Sequence, residues 1–73
     1  MGYADALATN LRVQRAKKHV RQREVADAVG IEQTALSQYE NGVRVPSVET
    51  VIRLADYYGI SLDTLAGRTK ATS

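Results

Sequence analysis

Cysteine is absent from the 73 residues. That excludes disulfides, thiolate metal ligands and cysteine nucleophiles together. Histidine occurs once, at His19, so a structural zinc site lacks the ligands it would need, and neither metal nor cofactor is expected. No apolar run approaches the ~18 residues of a membrane-crossing helix. Residues 1–10 contain the acid Asp5 and no basic residue, which is not the pattern of a secretory signal. A soluble, cytoplasmic chain with no membrane partner is the expectation. The glycines stand singly, without a phosphate-cradling loop. Ser37, His19 and the nearby carboxylates form no constellation that helical placement would bring together, so catalysis is not expected, nor is a small-molecule ligand. Proline occurs once, and Pro46-Ser47 reads as a helix start with a capping hydroxyl.

What remains suffices for one domain. The hydrophobic fraction of 44% is that of a globular chain, although a domain of this length buries only about 60% of its unfolded surface. The net charge is only +2, but it is unevenly distributed. Residues 12–23 hold six basic side chains (Arg12, Arg15, Lys17, Lys18, Arg21 and Arg23) and no acid. Residues 49–63 hold Glu49, Asp56 and Asp63 against Arg53. A localised basic segment suggests an acidic partner, nucleic acid before others.

Helical periodicity and breakers divide the chain into five helices and predict an all-α fold. The first runs from about 4 to 18, with Leu7, Ala8, Leu11 and Arg15 on one face. The second spans 22–29, with Val25, Ala26 and Val29 as its stripe, and stops at Gly30. The third, about 33–40, places Leu36 and Tyr39 on one side and ends at Asn41-Gly42. The fourth, about 48–58, aligns Val48, Val51, Leu54, Ala55 and Tyr58 before Gly59. Ser61 caps a short fifth helix, about 62–66, closed by Gly67. The expected domain is residues 1–67, with 68–73 a disordered tail.

The stretch QREVADAVGIEQTALSQYEN, residues 22–41, has the requirements of a helix-turn-helix. Two short helices meet at about 90–120° across a tight turn. Their crossing needs a small residue, supplied by Ala26, and the turn needs a left-handed one, supplied by Gly30. Val25, Val29, Ile31, Leu36 and Tyr39 would seal the unit to the rest. The outer face of the second helix would then show Gln33, Thr34, Ser37 and Gln38. Outside such a motif these would be ordinary surface residues; here they are candidates for base reading. Tyr39, Tyr57 and Tyr58 are expected to pack rather than stack on bases.

In these words, and in Tyr39-Glu40-Asn41-Gly42, Pro46-Ser47, Leu54-Ala55 and Gly59-Ile60-Ser61-Leu62-Asp63, the chain resembles the lambda-repressor-like (Cro/XRE-type) helix-turn-helix family. The resemblance covers about residues 7–67. It implies a five-helix DNA-binding domain acting in transcription, as a repressor on a two-fold operator. By position it implies that Gln22 meets a DNA phosphate and that Gln33, Thr34 and Gln38 read bases, with Ser37 beside them. Ala35 would lie at a neighbouring contact, where its methyl could touch a thymine methyl. Asn41 and Arg44 would meet the backbone, and Arg15 and Glu40 would form a salt bridge. Three positions depart from the pattern. Arg21 and Glu32 stand where hydroxyl caps are usual, and His19 where glycine is frequent. Arg21 is instead a candidate phosphate contact, with Arg23 and Lys17. The implied partners are double-stranded DNA and a second copy, held weakly through the C-terminal helices, since no further helix is expected after Gly67. The alternative is an antitoxin-like or adaptor interaction module on the same fold.

Overall fold

The computed structural model describes residues 2–67; the expected tail, 68–73, lies outside them. Among the described residues there are five helices and no strand: α1 Tyr3–Lys18, α2 Gln22–Val29, α3 Gln33–Glu40, α4 Val48–Tyr58 and α5 Leu62–Ala66. Gly2 and Glu32 precede α1 and α3 without a side-chain cap, and the other helices start on local chemistry. Ser47 and Ser61 cap α4 and α5 by accepting from the N–H groups of Thr50 and Thr64, at 3.2 and 3.0 Å. Arg21 has no acceptor with which to cap α2, but Glu24 reaches back to the Arg21 N–H at 2.9 Å. The helix thus keeps half of a capping box.

Gly30 ends α2 at φ 83°, and both its own N–H and that of Ile31 donate to the Ala26 carbonyl. His19 ends α1 at φ 58° and is the one non-glycine residue with positive φ among those described. Its place in the link therefore has the geometry that glycine usually supplies.

α1 packs on α3 and α5, α2 on α3 and α4, and α4 on α5. The core gathers Leu7 and Leu11 from α1, Val25, Ala26 and Val29 from α2, and Leu36 and Tyr39 from α3. Val51, Leu54 and Ala55 from α4 and Leu65 from α5 complete it. Full burial of a leucine such as Leu11, Leu36 or Leu54 stabilises the fold by about 1.5–3 kcal/mol. Ile31 and Tyr58 are only half-buried at its margin. Val48 departs from the periodic reading: it is 71% exposed and sits beside the exposed Ile52 on the outer side of α4. Periodicity gives an angle and not a depth. Val48 lies at the edge of the apolar stripe and in the first position of its helix.

Candidate nucleic-acid interface

Leu36 and Tyr39 anchor α3 by its inner face, while Gln33 and Thr34 are exposed and Ser37 and Gln38 half-buried on the other side. These four side chains and Gln22, the first residue of α2, line one open concavity. Gln22, Gln33, Thr34, Ser37 and Gln38 are thereby brought together from two helices. Ala35 stands apart from that lining, half-buried and packed on the core.

The single carboxylate of α3 is withdrawn from this surface. Glu40 is 2% exposed, and Arg15 holds it with two parallel bonds: Nε to Oε2 at 2.8 Å and Nη2 to Oε1 at 3.0 Å. The remaining Arg15 Nη1 donates to the Val20 carbonyl at 3.2 Å, tying the α1–α2 link into the same cluster. The hydrogen bond to Glu40 keeps the Arg15 guanidinium even more firmly charged than usual. Gln22 adds a third bond, Nε2 to Glu40 Oε1 at 2.9 Å, and Arg12 donates to the Glu40 backbone carbonyl. Three side chains thus converge on the end of α3, and burial, first, and the nearby Glu40 charge, second, hold the Tyr58 phenol in the neutral form.

These contacts divide the basic segment of the sequence. Arg12 and Arg15 serve the end of α3, and Lys18 lies over the Tyr57 ring at 5.2 Å. Lys17, Arg21 and Arg23 are exposed and form no ion pair among the described residues. The roles of Arg12 and of the Gln22 amide had no signal in spacing, because their common partner lies 28 and 18 residues away.

Beyond Glu40 the chain folds back on α3. The Val43 N–H donates to the Gln38 carbonyl at 3.0 Å and the Gly42 N–H to that of Tyr39 at 3.3 Å. Gly42 has φ 73°. This pattern is a Schellman motif, in which the left-handed residue satisfies the last carbonyls of the helix. It returns Arg44 to the outer face of α3, where its Nη1 donates to Gln38 Oε1 at 3.3 Å. Asn41, exposed, reaches Ser37 Oγ at 3.5 Å.

Residues 11–65 match the model of the helix-turn-helix family. The chain belongs to that family. It is 40% identical over 47 residues to the cryptic phage CTXphi transcriptional repressor RstR of Vibrio cholerae, across 64% of this chain and 42% of that protein. It is 37% identical over 59 residues to the ImmF control region 10 kDa protein of Bacillus phage phi105, across 81% of this chain and 66% of that one. The chain therefore spans less than two thirds of the length of each. Among solved structures, the P22 c2 repressor in complex with a synthetic operator superposes with a TM-score of 0.81 at 27% identity, covering 86% of this chain and 96% of that one. The clp gene regulator ClgR from C. glutamicum superposes with a TM-score of 0.83 at 29% identity, covering 93% and 88%. The fold is that of the lambda-repressor-like helix-turn-helix regulators.

Proposed function

We propose that this chain is a sequence-specific DNA-binding regulator of transcription, a non-enzymatic repressor that occupies a two-fold operator as a dimer. The observation that carries the reading is the outer face of α3. It offers amides and hydroxyls, its only carboxylate is buried and paired, and its inner face is locked in the core. A helix so presented fits the major groove, where glutamine amides match adenine N6 and N7 and hydroxyls accept several edges. Gln33, Thr34, Ser37 and Gln38 read bases in this account, with the Ala35 methyl at the margin. Gln22, Arg21, Arg23, Asn41, Arg44 and Lys17 meet the phosphates and set register. The likeness to a repressor bound to its operator supports the same docking.

One monomer reads too few bases to stand out among genomic competitors. Two copies with recognition helices about 34 Å apart would solve this. The C-terminal helices supply the apolar surface for a weak interface, with Leu62 exposed and Tyr57 half-buried. Selection of bound duplexes from a random pool, followed by sequencing, tests the reading. Two inverted half-sites one helical turn apart are expected. An adaptor module on this fold would enrich no sequence, and a single unrepeated site would refute the dimer.

A further inference from the structure

We infer that Arg44 sets which base edges Gln38 reads, by engaging the amide oxygen of Gln38 and leaving its NH2 as the reading group. The inference rests on the proposed function and adds a specificity-determining residue to it.

Arginine carries only donors. The atom of Gln38 that faces Arg44 Nη1 at 3.3 Å is therefore the amide oxygen, whichever way an isolated amide would turn. The guanidinium is not there by chance of side-chain reach. The Arg44 N–H itself points at the Gln38 carbonyl at 3.4 Å, alongside the Val43 bond that closes the Schellman motif. Its guanidinium also lies 6.0 Å from the centre of the Tyr39 ring, within range of a cation–π attraction. Backbone and side chain of Arg44 are both referred to the last turn of α3.

Reading adenine with two bonds requires the amide oxygen to accept from N6 while the NH2 donates to N7, both atoms in the plane of the base. With one of the two lone pairs of its oxygen taken by Arg44, Gln38 presents its NH2 foremost. Guanine O6 and N7 and thymine O4 are acceptors and suit it; the adenine pair of contacts must share the oxygen with the guanidinium and is weakened. Among the described residues no hydrogen bond holds the Gln33 amide, although Arg23 lines a concavity with it, and both halves of that amide stay free for the groove. Two glutamines on one helix thus acquire different preferences from their surroundings. The remaining guanidinium donors of Arg44 stay available to a phosphate, so one side chain would couple backbone position to base choice.

The test compares sequences selected from a random duplex pool by the parent, Gln38→Ala and Arg44→Met. Arg44 is exposed, so Arg44→Met should fold, and a thermal melt checks this. Gln38→Ala identifies the position that Gln38 reads by flattening it. There the parent should favour guanine or thymine by about tenfold, the scale of a good base contact. Arg44→Met should shift that one position toward adenine by a similar factor and leave the others unchanged. Weaker binding to all duplexes with every preference intact would make Arg44 a phosphate contact only and overturn the inference. So would adenine at that position in the parent, or a Gln38→Ala profile like the parent's. A parent that enriches nothing contradicts the proposed function itself.

Discussion

Glu40 is the residue on which most of the site depends. A carboxylate 2% exposed is costly to bury unless it is paired and hydrogen-bonded, and Arg15 and Gln22 supply three bonds to its two oxygens. Replacing Arg15 with methionine strands that charge. The expected loss is up to about 3–5 kcal/mol, reduced by the 28% exposure of the arginine side chain. The double variant Arg15→Met/Glu40→Leu should recover much of it, because an apolar pair needs no partners. Chemical denaturation of the three proteins checks both statements, and an Arg15→Met melt equal to the parent's would reject the role of the pair.

Tyr58 gives a second prediction at this scale. Its hydroxyl is buried and has no hydrogen-bond partner among the described residues. Burial raises its pKa above the ordinary value. The unfolded chain therefore releases this proton first, from pH about 10 upward, and the folded state binds more protons there. Stability is complete below that pH and falls as pH rises above it. Tyr58→Phe should be neutral or stabilising at pH 7 and should lose less stability than the parent above pH 10. Urea midpoints at pH 7 and 10.5 measure both effects.

At the scale of elements, the helices were legible because their ends are written in local chemistry. Gly30, Asn41-Gly42, Pro46-Ser47, Gly59, Ser61 and Gly67 each mark a boundary that a short window can detect. The outer face of α3 was legible for a related reason: an eight-residue helix with Leu36 and Tyr39 inward leaves Gln33, Thr34, Ser37 and Gln38 on its other side. Depth and partnership were not legible. Val48 falls at the edge of the core stripe and is not buried with it. The Gln22–Glu40 and Arg44–Gln38 bonds depend on how the link and the α3–α4 loop fold back, which no periodicity encodes.

The α2–α3 turn makes the local argument testable. A Cβ at Gly30 would meet nothing closer than an Arg53 nitrogen at 3.9 Å, so space is not the constraint there. The constraint is φ 83°, and a β-branched residue at that angle should cost more than about 1 kcal/mol. Gly30→Val should melt lower than the parent; an unchanged melt would show that the turn tolerates another backbone.

At the scale of the molecule, the division of labour is between a core that holds α3 and a surface that α3 leaves free. Arg12, Arg15 and Gln22 bind the end of α3 to the remainder of the fold, and the side chains at its outer face have few structural duties. Changing one of them should therefore alter recognition without altering stability. Gln33 is the cleanest case, exposed and at the first position of α3. The decisive measurement is the ratio of affinities for the selected duplex and for one changed at a single base pair, in the parent and in Gln33→Ala. At one position that ratio should fall by the equivalent of ~1–3 kcal/mol, with the thermal melt and the affinity for scrambled duplex unchanged. A Gln33→Ala protein that discriminates at every position as the parent does would contradict the assignment of α3 as the reader of DNA.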